Sequence, residues 1–457
     1  MKKSRGFGKS TRSSKAVALA IGLVALTLLL IPYIYQYENV IKLMFDIKDA
    51  QRNRSSSSTK PMFVLHIGPP KTATSAIQCD LTRYRKELYE SASVAYLGRI
   101  YGHCLKSEDG KEHSFDPKSL IDSCFENRNC KEQDAWKSLE SELAYLSAQK
   151  KHVILSGESF AKMQVISRNH DDNRKLLYDL VNKYYPGRMR VAIVYRRYYE
   201  WLYSHWNSRN KPFVNGNGDD VKYLPTHRNW PSEGGKRCST FLSYYMERIV
   251  DKQPGSKKDD YLNIAEANQV HPAEYLRGLW RNHSSEVQVL NLREMNAPSE
   301  DGGDTISRFL RSTVTPLAAK TYIRSKDSGF AGRRNPSRNS DYDMLAVAAH
   351  ENGLLANITI PRAKVAVFLE ENLMKTLNTT ALPLKCPNEE LLKRFLQKSL
   401  HYEEMLYPSQ SDSEVKEHEL AFYEAVKKKK FCNLDIDALM EDERFRAFIA
   451  KEIPRLQ

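Results

Sequence analysis

The sequence predicts an α/β fold, a central parallel sheet flanked by helices, with an N-terminal transmembrane helix ahead of it. Short apolar runs recur through the chain with helical patterns between them, the order expected of parallel strands joined by crossover helices. The runs are apolar throughout instead of alternating, which suits strands covered on both faces. A third observation is the uncharged stretch Ala16–Tyr35, rich in Leu, Ile, Val and Ala. Its length matches the ~20 residues needed to cross the hydrocarbon core.

The elements follow in order. Residues 1–15 are a basic tail with Lys2, Lys3, Arg5, Lys9, Arg12 and Lys15 and no acidic residue. Mixed charges (Glu38, Lys42, Asp46) follow the apolar run. The positive-inside rule therefore keeps the tail cytosolic and sends the remainder across. A cleaved signal peptide is the alternative, but no small-x-small cleavage site follows the run. Residues 36–60, with Ser55–Ser58, read as a flexible stem. A folded domain is expected over 61–345, and a helical extension packed on it over 346–457. Strands are expected at Met62–Ile67, Val153–Leu155, Met189–Tyr195 and Val287–Leu292, with helices at Thr74–Tyr89 and Ala273–Asn282. Polar stretches at 101–135 and 207–260 are too long for ordinary connections and read as insertions over the ligand end of the sheet. The run Lys427–Lys430 reads as a solvated helix face.

Composition sets broad limits. Of 457 residues 41% are apolar, enough for a sizeable core, and the net charge of +14 favours an anionic partner without naming one. Seven cysteines form neither a CxxC pair nor a Cys/His metal cluster. In an oxidising lumen, Cys124 with Cys130 could close a short loop and Cys386 with Cys432 could pin the C-terminal region. Sequons at Asn53, Asn282, Asn357 and Asn378 agree with a lumenal location.

The chemistry is concentrated in Gly68-Pro69-Pro70-Lys71-Thr72-Ala73-Thr74, between the first strand and the first helix. Such a junction aims backbone N–H groups and a helix N-terminus at one spot, which favours an anion. Lys71 adds a point charge, and Thr72, Thr74 and Ser75 add hydroxyls. It is not a Walker A loop, because Leu65 and Pro70 stand where that motif needs glycines. The alternative is an ordinary turn that holds a lysine. Further on, MRVAIVY ends in Arg196-Arg197, and Ser204 lies eight residues after Arg196. A guanidinium at a strand end with a hydroxyl on the next helix makes a phosphate clamp. Arg197 is an alternative ligand or a surface charge. VILSGESF ends another strand and offers Glu158 as a general base. The alternative for Glu158 is capping the next helix. His103, in GRIYGHC, is the rival base.

HIGPPKTATSAIQ resembles the 5′-phosphosulfate loop of sulfotransferases, in which a strand, Pro-Lys-x-Gly-Thr-Thr/Ser and a helix follow one another. Lys71 matches the family lysine, Thr72 and Thr74 its hydroxyls, and Ala73 stands where glycine is usual. Arg196 and Ser204 match in spacing the pair that holds the 3′-phosphate, although Tyr198 replaces a common proline. The resemblance spans roughly residues 62–310 in three short motifs. It implies a P-loop-like sheet and 3′-phosphoadenosine 5′-phosphosulfate as co-substrate, with no metal. The loop from Gly68 to Ser75 would hold the 5′-phosphate, Lys71 would neutralise the bridging oxygen, and Glu158 or His103 would take the acceptor proton.

The resemblance favours a single-pass type II protein of the Golgi membrane acting on a glycan or glycoprotein, with no nucleic-acid partner. Arg228, Trp230 and Lys236 in the second insertion are an expected acceptor surface, since aromatic rings stack on sugars. The basic loop Gly332–Ser337 reads as a cover over the 3′-phosphate or the adenine, or as a solvated turn. Three alternatives remain: a tyrosine-directed sulfotransferase, a metal-dependent phosphoryl transferase, and an inactive glycan-binding protein on the same scaffold.

Overall fold

Phe63–Ile67 (β1) is a strand because its five residues are apolar or aromatic apart from one histidine and are bounded by proline and glycine. In the computed structural model it lies at the centre of a five-stranded sheet. The others are Val94–Gly98 (β2), His152–Ser156 (β3), Met189–Tyr195 (β4) and Glu286–Asn291 (β5). The order is β2-β3-β1-β4-β5 and every pairing is parallel. The structure describes residues 60–69, 72–100, 104, 120, 130–162, 170–210, 214–215, 222–223, 230, 242, 246, 271–297, 303–326, 341–355 and 358–456.

The period-two geometry of a strand splits β1 between two apolar layers. Phe63, Leu65 and Ile67 face one core with Val153, Leu155, Val191 and Ile193. Val64 faces the other with Ile154, Ala192 and Val194. The second layer is closed by Thr74–Arg83 (α1) and Arg85–Ala92 (α2) through Ile77, Leu81 and Leu88, and by later helices through Phe309 and Tyr322. The first layer is closed by Asp134–Ala148 (α3), His170–Tyr184 (α4), Tyr198–Asn210 (α5) and Pro272–Trp280 (α6). The C-terminal helices join that layer, with Phe395, Phe422 and Phe431 in the same core as the sheet. The result is three layers, helix–sheet–helix.

Beyond β5 come Leu292–Asn296 (α7), Thr305–Thr313 (α8), Pro316–Ser325 (α9), Asp341–Glu351 (α10) and Arg362–Thr376 (α11). Glu389–Leu406 (α12), Asp412–Lys427 (α13), Ile436–Glu441 (α14) and Glu443–Glu452 (α15) complete the chain. Lys427–Lys430 is exposed at the end of α13. Cys386 and Cys432 form a disulfide beside the short strand pair Leu384–Lys385 and Asn433–Leu434. Cys79 on α1 is bonded to Cys104, a pairing the spacing did not suggest. Cys130 is also disulfide-bonded.

Two features differ from expectation. The helix expected over Thr74–Tyr89 is two helices, because Tyr84 leaves helical dihedrals and buries its ring edge-on against Tyr322 at 5.2 Å. Strand β2 was not anticipated: its run VAYLG follows a helix directly and is short. The chain divides into two units, Met1–Lys60 and Pro61–Gln457, and the second holds the whole sheet. The expected anchor, residues 16–35, lies outside the described residues, and among those described no helix is long and apolar enough to cross a membrane.

Candidate functional site

The strand order defines a crevice. From β1 the chain departs toward β2 on one side, and from β4 it departs toward β5 on the other. Connections that diverge in this way leave a gap above the carboxyl ends of the two strands, where open α/β sheets take ligands. The turn after β1 and the arginines after β4 flank that gap. Ile67 pairs with Ile193, so Gly68 and Arg196 stand one and three residues beyond a shared rung. At ordinary strand geometry that offset is roughly 7 Å along the strands and ~4.8 Å across them.

The β1–α1 turn is tightly wound. Thr72 donates its hydroxyl to the Pro69 carbonyl at 2.7 Å and lies 3.5 Å from the Thr74 hydroxyl. A Cβ on Gly68 would come within 2.2 Å of Thr74 Oγ1, so no other residue fits without moving the turn. Ala73 is the N-cap of α1 and is left-handed, with φ 64°. Glycine enters that region without penalty, whereas a methyl costs roughly 1–2 kcal/mol. Hence the place where the resemblance expects glycine is the place where the backbone needs one. The Ala73 side chain offers α1 no cap. The Ala76 and Ile77 N–H groups turn back to the Ala73 carbonyl at 2.9 and 3.0 Å, which closes the first turn on the backbone itself, and the positive end of the helix faces the strand ends. Thr72 and Thr74 are buried, so Thr72 acts on the loop's shape, its proton committed to Pro69. Pro70 and Lys71 lie outside the described residues.

Beneath the turn, a polar cluster ties three elements together. His66 Nδ1 lies 2.8 Å from Ser156 Oγ, and Gln78 of α1 donates to the same hydroxyl at 3.2 Å. Full burial drives the His66 pKa down to about 3, so it stays neutral.

At the β4–α5 junction the two arginines divide. Arg197 is 6% exposed and pairs with Glu403 of α12 at 3.6 Å. It is an internal tie to the C-terminal helices and not a surface charge. Arg196 is half-buried, and its Nε donates to Glu200 at 3.3 Å. Arg196 precedes α5 by two residues, while Glu200 and Ser204 lie four apart within it and so follow one ridge. Positions 196, 200 and 204 are partly open, while Tyr198, Tyr199, Trp201, Leu202, His205 and Trp206 are buried. Glu200 and Ser204 thus share a face of α5 that Arg196 meets through Glu200, an acidic residue that sequence reading passed over although its i+4 spacing is legible.

Glu158 opens a short 3₁₀ turn, Glu158–Lys162, directly after β3, and is half-buried. Since β3, β1 and β4 are adjacent, Glu158, the β1–α1 turn and Arg196 line the same edge of the sheet. His103, Arg228, Lys236 and the loop Gly332–Ser337 lie outside the described residues. Trp230 corrects an expectation. It is 2% exposed, donates to the Ile360 carbonyl at 3.2 Å and stacks on His350 at 4.6 Å, so it is core and cannot stack on a sugar.

One hydroxyl–imidazole–carboxylate row also occurs. Ser399 Oγ is 3.0 Å from His418 Nε2, and His418 Nδ1 meets Glu403. Ser399 is 0% exposed and Glu403 already pairs with Arg197, so the row is internal and no substrate reaches its hydroxyl.

No family model, no curated protein and no solved structure matches this chain.

Proposed function

We propose that this chain is a sulfotransferase that moves a sulfonate group from 3′-phosphoadenosine 5′-phosphosulfate to a carbohydrate hydroxyl. The observation that carries this reading is the pairing of β1 with β4. It sets the start of α1 behind Gly68 beside the partly open Arg196 and Ser204, at the point where the connections diverge. One nucleotide with two separated anionic groups suits two such donors. The 5′-phosphosulfate would meet the turn from Gly68 to Ser75, and the 3′-phosphate would meet Arg196 and Ser204.

In the reaction the acceptor oxygen attacks sulfur in line with the bond to the 5′-phosphate oxygen. That S–O bond breaks, and adenosine 3′,5′-bisphosphate leaves. Lys71 would meet the charge that builds on the bridging oxygen. Glu158, on the neighbouring strand end, would accept the hydroxyl proton. Positioning and electrostatics supply the rest. Disulfides at Cys79–Cys104 and Cys386–Cys432 support folding in an oxidising compartment. With the basic tail and apolar run, they support a type II protein of the Golgi membrane, its domain 61–345 and extension 346–457 both lumenal.

The test is to incubate the purified lumenal chain with radiolabelled donor and a panel of glycans and tyrosine peptides. Label on a glycan is the expected result. Label only on peptides makes the chain a tyrosine-directed enzyme. Bisphosphate binding without transfer makes it a binding protein. Transfer that needs a nucleoside triphosphate and a divalent metal overturns the reading.

A further inference from the structure

We propose that His271 is a positioning residue for the 3′-phosphate clamp, fixing the backbone from which the Arg196 guanidinium extends; this rests on the donor reading above. His271 is the N-cap of α6, and its Nδ1 accepts from the Ala273 N–H at 2.9 Å. A nitrogen that accepts carries no proton, so the ring proton is on Nε2. That nitrogen lies 3.2 Å from the Arg196 carbonyl and donates to it. Both ring nitrogens are therefore committed, one to the helix that leads into β5 and the other to the residue that ends β4.

The ring cannot turn away from this arrangement. It is 0% exposed and enclosed by aromatic groups: Tyr195 at 4.8 Å, Tyr198 and Trp201 at 6.1 Å, and Tyr402 at 6.3 Å. Burial also lowers its pKa to about 3, so the neutral tautomer persists across the working pH range. Arg196 is thus held at two points, its carbonyl by His271 and its Nε by Glu200. A guanidinium offered from a fixed backbone loses less freedom when it grips a phosphate. His271 itself touches no nucleotide in this scheme.

The experiment compares wild type, His271→Asn and His271→Gln in the full chain. Calorimetry gives the affinities for adenosine 3′,5′-bisphosphate and adenosine 5′-monophosphate, and thermal unfolding is run alongside. Asparagine is among the best N-caps, so α6 keeps its cap, but its side chain is too short to reach Arg196. His271→Asn should weaken bisphosphate binding about two- to tenfold, the worth of one hydrogen bond, and leave monophosphate binding unchanged. Glutamine restores a donor of longer reach and should recover the wild-type ratio. An unchanged ratio in folded His271→Asn overturns the positioning role alone. Should His271→Asn not fold, the test passes to His271→Ser, which also caps α6 and cannot reach Arg196, and an unchanged ratio there overturns the role. A wild type that does not distinguish the two nucleotides overturns the 3′-phosphate reading and the role with it.

Discussion

The N-terminus of α1 and that of α13 solve the same problem in opposite ways. Each helix begins with backbone N–H groups that lack intrahelical partners. At α13 the chain satisfies them internally: Ser411 and Glu414 form a reciprocal capping box. Asn388, Asp435 and Asp442 likewise cap α12, α14 and α15. At α1 the N-cap is an alanine in a left-handed conformation, with no side-chain cap. These four helices of the extension are closed by polar side chains, although α11 is not, whereas α1 starts from a strained alanine whose carbonyl takes the Ala76 and Ile77 N–H groups. Local stability is lower at the strained start of α1 than at the capped start of α13.

Substitutions can break or sharpen that contrast. The largest effect is expected from Lys71→Ala, which should lower turnover roughly 10²–10³-fold, the scale of losing one preorganised charge contact. Its unfolding midpoint should stay at the wild-type value, and near-normal turnover would remove Lys71 from the chemistry. Next is acid sensitivity. His66 and His271 titrate near pH 3 when folded and near 6.5 when unfolded. Between those values the unfolded chain binds more protons, so stability is full above about pH 6.5 and falls as pH drops toward about 3. Each histidine contributes about 1.4 kcal/mol per pH unit in that window. Denaturant midpoints measured across it should flatten by one such increment in His271→Asn.

Gly68→Ala brings a methyl against Thr74 and should cost about 1–3 kcal/mol of stability as the turn shifts. Nucleotide affinity should fall with it, because the donors lose their aim; titration with the bisphosphate measures this. Ser411→Ala should cost about 1 kcal/mol by opening the capping box, and nucleotide affinity should not move. An affinity change there would erase the distinction between the two helix ends. The smallest effect is expected from Ala73→Gly, which removes left-handed strain and should raise stability by about 0.5–1 kcal/mol in equilibrium unfolding, with affinity kept.

The sheet was largely legible because its inner strands are apolar on both faces, so MFVLHI and MRVAIVY stand out against polar flanks, and the edge strand VQVLNL still alternates apolar with polar residues. The edge strand β2 was not, since four apolar residues after a helix carry no period of their own. The turn at Gly68 and the Arg196–Ser204 spacing were readable as local patterns. The supporting residues were not: Ser156 meets His66 only because two strands far apart in sequence lie in register, and His271 meets Arg196 only through the fold. His271-Pro272 did carry a local sign, a capping side chain ahead of proline at a helix start. Trp230 misled because composition records that a ring is present and not whether it is covered. The Cys79–Cys104 bond escaped for a related reason, since which thiols meet depends on where α1 packs.

The central place of β1 has a consequence for how the protein is made. Its neighbours β3 and β4 are both synthesised well after it, so the first strand of the sheet waits unpaired while later segments leave the ribosome. At about 5–20 residues per second that delay lasts several seconds, long enough for chaperones to act on an exposed apolar strand. Nascent chains halted before β4 should be held by such factors and remain protease-sensitive, and those extended past it should become resistant.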